Sequence, residues 1–485
     1  MYFLEKLRKI EPVRITLISQ ILKVCVQLTS IVLFSRIFEP RAIGLFAIVL
    51  VVINAAEMLR DFGLSTTGLS SKELSHQDAS NLFWLNGGFG IIAAIVVASL
   101  SPLTAMLFGI PDLLIIQMIL SFNLIVNGFQ VQFQVQLARK GNFFSLSWTD
   151  VFAQVSGLVL GLASFTSGLG IYALAVQFVS TPLILAISRV VVSRWKPLRA
   201  RGILKSRHLI SSSGNYGAGQ VISYLNRNVD NFLIGLIWGP KALGPYARAY
   251  QLETIPTISA LAPLTNVFVP QLVARKNQGL EVDSLLSKYQ IQISLAASFF
   301  FCIAATSADA VLPALLGQQW VSASGLFAIL AFAGIFEAFN QILYWRFLVY
   351  NRSQAFLVYS SISGIFCLTN IAINSFIGVT AVAYAVVVNQ CFNWLTAQLV
   401  LRASTGLDIW RSFKLGFFAI VASFCSFLLS KASIHYLALT QSNDWIEVIV
   451  AVLLPGLFLA LIYLLSKEYR DGLVNALALG RENKN

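Results

Sequence analysis

The chain has 485 residues, of which 57% are hydrophobic and only 11% charged, with a formal net charge of +13. A soluble globular domain carries about 25% charged residues, so this composition excludes one. Apolar runs of about 20 residues, the length a helix needs to cross hydrocarbon, recur along nearly the whole chain. That pattern excludes a β-barrel, whose strands would be alternating segments of roughly 10 residues. Cys25, Cys302, Cys367, Cys391 and Cys425 sit singly in apolar runs. Such spacing suits neither a disulfide framework nor a metal site.

In chain order the pattern predicts an all-α polytopic membrane protein of about fourteen transmembrane helices. They fall at 15–36, 42–60, 82–108, 113–137, 146–166, 169–192, 213–238, 244–270, 288–312, 325–346, 355–376, 379–401, 412–431 and 445–466. The first run contains Gln20, Lys23 and Gln27 and has no small-residue cleavage pattern, so it reads as a membrane helix and not a signal peptide. Loops alternate in charge. One set, from Lys6 through the Arg189–Arg207 cluster to the tail, holds 27 basic residues; the other holds Arg36, Arg41, Lys241 and Lys431. Lys23, Arg227 and Arg248 lie inside predicted helices and complete the 34. This asymmetry assigns the basic side, and both termini, to the cytoplasm. The net charge is then a matter of topology, and no nucleic acid is expected as a partner.

An internal repeat appears at an offset of 200 residues. LFSRIFEPRAIGLFA (Leu33–Ala47) aligns without gaps on LIGLIWGPKALGPYA (Leu233–Ala247), sharing Leu, Ile, Pro, Ala, Gly and Ala. A second echo pairs Gly170–Ala175 with Gly378–Ala383. Six predicted helices separate the copies in preserved order, which predicts two parallel-repeat lobes around a central cavity. The expected division is an N-lobe over 1–193, a basic loop over 194–212 and a C-lobe over 213–402. Two further helices in 403–466 and a tail over 467–485 follow.

Polar residues line single faces of several predicted helices at spacings of three to four. The faces are Gln20, Lys23, Gln27 and Ser30; Asn54, Glu57 and Asp61; and Asn123, Asn127, Gln130 and Gln134. Gln220, Tyr224, Arg227 and Asn231 form another, as do Tyr246, Tyr250 and Glu253, and Glu337, Asn340 and Gln341. Interhelical hydrogen bonding would explain the amides equally well. The charges are different in kind. An Arg at mid-membrane costs roughly 2.5–3.5 kcal/mol on insertion scales, so Lys23, Arg227, Arg248, Asp230, Glu253 and Glu337 mark an interior or a watery cavity. Arg227 with Asp230 also reads as an intrahelical pair, and Lys23 as a snorkelling or cross-helix-paired lysine.

Look-alike motifs lack their context. Asp61-Phe62-Gly63 has no Gly-rich loop or catalytic Lys strand beside it, and Gly214, Gly217 and Gly219 have no strand before or Lys-Ser/Thr after. His76, His208 and His435 fall in predicted loops. No cofactor, metal or nucleotide is expected.

Two strings carry a resemblance: Asp61–Ile91, and SYLNRNVDNFLIGLIWGPKALGPYARAYQLETIP from Ser223 to Pro256. The second holds Asn228, Asp230, Gly235, Gly239, Pro240, Leu243, Gly244, Tyr246, Ala249, Tyr250, Leu252 and Pro256 in a family pattern. The chain resembles the bacterial polysaccharide flippases of the multidrug/oligosaccharidyl-lipid/polysaccharide exporter superfamily, particularly the colanic acid branch. The resemblance implies alternating access and translocation of undecaprenyl-pyrophosphate-linked oligosaccharide across the inner membrane. It implies that Lys23, Arg227 and Arg248 serve the anionic head group. Gln20, Gln27, Asn54, Gln220, Tyr224, Asn231, Tyr250 and Asn340 would line the cavity. Glu57, Asp61, Asp230, Glu253 and Glu337 would balance charge or couple to Na+ or H+, and polysaccharide polymerase machinery would be a partner. A cation antiporter of the same superfamily, or a membrane polymerase or ligase, is the alternative.

Overall fold

The computed structural model describes residues 2–61, 75–201, 207–406, 410–438, 444–465 and 469–470. They are almost wholly helical, and no strand occurs among them. The helices are α1 (Tyr2–Ile37), α2 (Pro40–Asp61), α3 (His76–Ser99), α4 (Ser101–Phe108), α5 (Asp112–Arg139), α6 (Phe143–Thr166) and α7 (Tyr172–Ser193). There follow α8 (Arg207–Asn277), α9 (Asp283–Leu316), α10 (Val321–Val349), α11 (Ser353–Ser375), α12 (Val379–Thr405), α13 (Trp410–Ala438) and α14 (Asp444–Leu465). Ten of the described helices are long and apolar enough to cross a membrane, and the chain is a multi-pass membrane protein.

Each predicted helix has its counterpart, with local differences that the caps explain. The helix predicted at 82 starts at His76, because the Ser75 hydroxyl accepts the Asp78 amide at 3.0 Å. It breaks at Leu100, where Pro102 opens the short α4. At the turn predicted for Gly239-Pro240 two helices, together α8, meet in a kink: Gly239 alone leaves helical geometry, with φ +76°. A side chain is disfavoured there, so glycine is what lets the chain bend without a loop.

The structure divides into two units, Met1–Gly244 and Pro245–Asn485. Within the first, α3 packs on α5, α5 on α7, and α6 on α7. Within the second, α9 packs on α10, α10 on α12, and α11 on α12. The same three pairings occur in the same order, as a parallel repeat requires. The two additional helices α13 and α14 pack on each other and on α9. Buried serines form that seam: Ser294, Ser298, Ser423, Ser426 and Ser430 let the backbones approach. Gln290 and Ser412 exchange two hydrogen bonds of 2.7 Å, and Tyr463 donates to Ser298 at 2.9 Å.

In the first unit the two copies of the repeated string touch. A Cβ on Gly44 would overlap the Pro240 carbonyl oxygen, and one on Gly244 would overlap the Pro40 carbonyl oxygen. Each glycine thus faces the other copy's proline. Residues 41–50 and 241–250 also run through the same order of exposed, half-buried and buried positions. A backbone carbonyl cannot swing aside as a side-chain tip can. Gly44→Val and Gly244→Val should each destabilise the protein by at least about 2 kcal/mol, read as a lower thermal midpoint in detergent. Gly325→Ala, in open space, should leave the midpoint unchanged; equal midpoints for all three variants would refute the contact.

Candidate functional site

In the first unit a charged group forms at membrane depth. The Asn142 side chain caps α6 by accepting the Ser145 amide at 3.2 Å, which sets Asp150 two turns into the helix. Lys23 of α1 donates to Asp150 Oδ2 at 3.1 Å. Arg189 of α7 donates Nη2 to Asp150 Oδ1 at 2.7 Å. It donates Nη1 to Gln130 and Gln134 of α5 at 2.6 and 3.0 Å. One carboxylate therefore serves two cations. Arg189 is buried at 4% exposure with its Nε unpartnered, while the Lys23 side chain is 34% exposed. The group has a positive excess, one buried cation and one partly exposed one.

A second ion pair lies at the end of α2. Arg60, buried, donates Nη2 to Glu57 at 2.7 Å and Nη1 to Asn86 of α3 at 3.4 Å. This makes Glu57 a balanced carboxylate. Asp61, one residue after Arg60, is half-buried.

Of the remaining predicted residues in this unit, Gln20 and Gln27 flank Lys23 and are half-buried, and Asn54 is exposed. Tyr224 donates its hydroxyl to the Val51 carbonyl and so ties α8 to α2. Arg227 is exposed, whereas Asp230 is buried and accepts the Asn231 amide at 2.8 Å. The Gln220 side chain lies outside the described residues.

The second unit holds a different balance. Arg248, 7% exposed, donates to Gln251 at 2.8 Å and lies 5.9 Å from the Trp320 ring centroid. Its Nε has no hydrogen-bond partner, and no carboxylate pairs with it among the described residues. Tyr250 stacks on Tyr246 at 6.1 Å. Asn340 donates to Gln390 at 3.0 Å. Glu253 is buried and lies near enough to Glu337 of α10 for the two carboxylates to repel. One Glu253 oxygen takes the Thr254 hydroxyl at 2.9 Å; the other, buried, has no hydrogen-bond partner. At the C-terminal end of α10, Tyr350 donates to Asp283 at 2.8 Å, and burial with that bond raises its phenol above the ordinary value.

The three cations expected to share an anion have different partners: Asp150 for Lys23, Gln251 and Trp320 for Arg248, and none of these for the exposed Arg227. Sequence reasoning missed Asp150 and Arg189 entirely. Asp150 was visible as the single acid of the 146–166 run. Arg189 and Arg60 were counted with loops, but the structure keeps both inside helices and buried. His76, expected in a solvated loop, is the first residue of α3 and pairs its Nε2 with the Lys196 carbonyl at 3.0 Å.

A family model described as polysaccharide biosynthesis protein matches residues 33–325. The chain is similar to the lipopolysaccharide biosynthesis protein WzxC of Escherichia coli (strain K12), with 24% identity over 331 residues, 66% of each chain. It is also similar to the teichuronic acid biosynthesis protein TuaB of Bacillus subtilis (strain 168), with 24% identity over 294 residues, 58% of each chain. Those matches span a little under two thirds of the relatives' length. In fold it is similar to the lipid II flippase MurJ in an inward closed conformation, with TM-score 0.66 and 14% identity. That likeness covers 94% of this chain and 99% of the other.

Removing Asp150 would strand Arg189 in the interior, and breaking one partner of a buried pair costs about 3 kcal/mol or more. Asp150→Asn should therefore lower the thermal midpoint, and the double variant Asp150→Asn/Arg189→Gln should recover part of the loss. A double variant whose loss equals the sum of the two single losses would show that the pair is not coupled.

Proposed function

Because the chain belongs to the polysaccharide biosynthesis protein family, we propose that it is a flippase and not an enzyme. It carries an undecaprenyl-pyrophosphate-linked oligosaccharide across the bacterial inner membrane by alternating access, with both termini in the cytoplasm. The observation that carries this reading is the Lys23–Asp150–Arg189 group. A diphosphate bearing sugars cannot cross hydrocarbon alone, and a cation excess at membrane depth complements it. Lys23 is the exposed member, so it is the one that exchanges Asp150 for a diphosphate oxygen. Gln20 and Gln27 on the same helix suit sugar hydroxyls, and Arg227 and Arg248 are further head-group candidates. The printed names of the relatives, which concern lipopolysaccharide and teichuronic acid biosynthesis, support a cell-surface polymer as the destination. A polymerase would then consume the flipped unit.

The energy source assigned here is an ion. Glu253, with a buried unpartnered oxygen and Glu337 nearby, suits H+ or Na+ better than the paired Glu57 does. The same carboxylates favour a second reading, a cation antiporter, in which they would bind the transported cation itself.

Proteoliposomes loaded with lipid-linked oligosaccharide separate the two. On the first reading the protein exposes inner-leaflet sugar to an impermeant glycosidase. Lys23→Ala and Arg227→Ala should each slow that exposure by at least about tenfold, the loss of one charge-assisted contact, with the protein still folded. Sugar that stays protected under an imposed H+ or Na+ gradient, with efflux of cationic dye instead, would establish the antiporter. Topology has its own check: single cysteines at Lys205 and Lys276 should label only from the cytoplasmic side, and labelling from outside would invert the orientation.

A further inference from the structure

The segment 194–201, Arg-Trp-Lys-Pro-Leu-Arg-Ala-Arg, leaves α7 and runs without helix or strand along the first turns of α3. Arg194 turns the chain out of the helix with a left-handed φ of +49°. What α3 grips is the backbone of this strap. His76 Nε2 meets the Lys196 carbonyl at 3.0 Å, Gln77 donates to the Arg199 carbonyl at 3.0 Å, and Trp84 donates to the Leu198 carbonyl at 2.8 Å. The Leu198 amide donates to Ser80 at 3.0 Å. Asn81 takes the Arg201 amide at 3.2 Å and donates to its carbonyl at 3.0 Å. Trp195 anchors the strap from below, with its ring 5.9 Å from Phe83 and 5.5 Å from Phe133.

With the backbone held, the side chains are left over. Arg194, Lys196, Arg199 and Arg201 are all exposed, and none is ion-paired with a carboxylate among the described residues. Asp78, the acid on the gripping turns, takes the Ser75 hydroxyl at 2.7 Å. Between the cations two apolar groups stay half in the open, Trp84 at 42% and Leu198 at 43% exposure.

We infer that this strap is a docking surface for the headgroups of anionic phospholipids in the leaflet it borders. Basic side chains at the end of a membrane helix sit where lipid phosphates are dense. A tryptophan with its N–H satisfied and its ring exposed belongs at the headgroup boundary, as an apolar anchor among cations does. Nucleic acid or an acidic peptide would leave Trp84 and Leu198 in water. In an extended chain, residues two apart lie about 7 Å from each other. Arg194 with Lys196, and Arg199 with Arg201, are each two residues apart on the held backbone, a spacing that suits bracketing one phosphate. A free loop would have to be ordered before it could do this; the hydrogen bonds to α3 have already ordered it.

The test uses the full chain in detergent, with native mass spectrometry counting bound phosphatidylglycerol against phosphatidylethanolamine. Each basic residue near an anionic surface contributes about fivefold in partition, so the variant R194Q/K196Q/R199Q/R201Q should lose most of the preference for phosphatidylglycerol. Raising ionic strength should have the same effect on the native protein. R36Q/R41Q/K241Q/K431Q, which removes four cations elsewhere, should keep the preference, as should R194K/R199K/R201K. If the fourfold strap variant does not fold, R194Q/K196Q and R199Q/R201Q are compared separately, each expected to lose several-fold. An unchanged preference in the folded strap variants, or an equal loss in the control, overturns the assignment.

Discussion

Two backbone carbonyls set how closely the copies of the repeat in the first unit can approach. Gly44 lies under the Pro240 carbonyl and Gly244 under the Pro40 carbonyl. In hydrocarbon no hydrophobic force draws helices together, so packing of small residues and interhelical hydrogen bonds must do it. That contact sets α2 against the 224–244 part of α8. Gly235 then packs on Ile48, and the Tyr224 hydroxyl reaches the Val51 carbonyl. The kink at Gly239 belongs to the same arrangement, since it is the residue just before the proline that makes the contact.

Most polar groups at membrane depth are satisfied, as the cost of leaving them bare demands. Glu57 has Arg60, Asn340 has Gln390, and Arg189 has three partners. Among the buried atoms without a partner, which include Arg189 Nε, Arg346 Nε and Asn340 Oδ1, and the incompletely paired charges, three groups carry the functional argument. Lys23 shares its carboxylate and is partly exposed; Arg248 has an amide and a ring but no anion among the described residues; Glu253 has one oxygen bare. A buried charge with an incomplete shell is destabilising, and a ligand is one way such a shell is completed.

Hydropathy made the helices legible, because span length is fixed by the bilayer and not by tertiary context. The repeat was legible because its residues are small and rigid, and their contact tolerates no substitute. Arg189 was hidden by its surroundings: six further basic residues follow it by Arg207, so it was counted with the basic loop although the predicted helix, 169–192, contains it. The Lys23–Asp150 pair spans 127 residues of chain, so no spacing rule could reveal it. Arg227 and Asp230 illustrate the opposite error. Their three-residue spacing suggests a pair, yet one is exposed and the other buried. The strap was legible only as a basic loop, because the groups that order it are the side chains of α3, over a hundred positions earlier.

The repeat also separates what the fold requires from what it does not. At an offset of 200, Pro40, Ala42, Gly44 and Ala47 recur as Pro240, Ala242, Gly244 and Ala247. The chemistry does not recur. Lys23 stands opposite Ser223, Gln27 opposite Arg227, Ser30 opposite Asp230, Ile48 opposite Arg248 and Ile53 opposite Glu253. At these five places one copy has a charge and the other folds with an uncharged residue, whereas Arg41 and Lys241 keep theirs. Arg248 and Ile48 are a strong case, since residues 41–50 and 241–250 share one burial pattern. The helix packing therefore does not call for an arginine at that depth, and insertion cost argues against one. Gln251 and Trp320 give it partners within the second unit, and the proposed anionic cargo would supply the counter-charge that they do not.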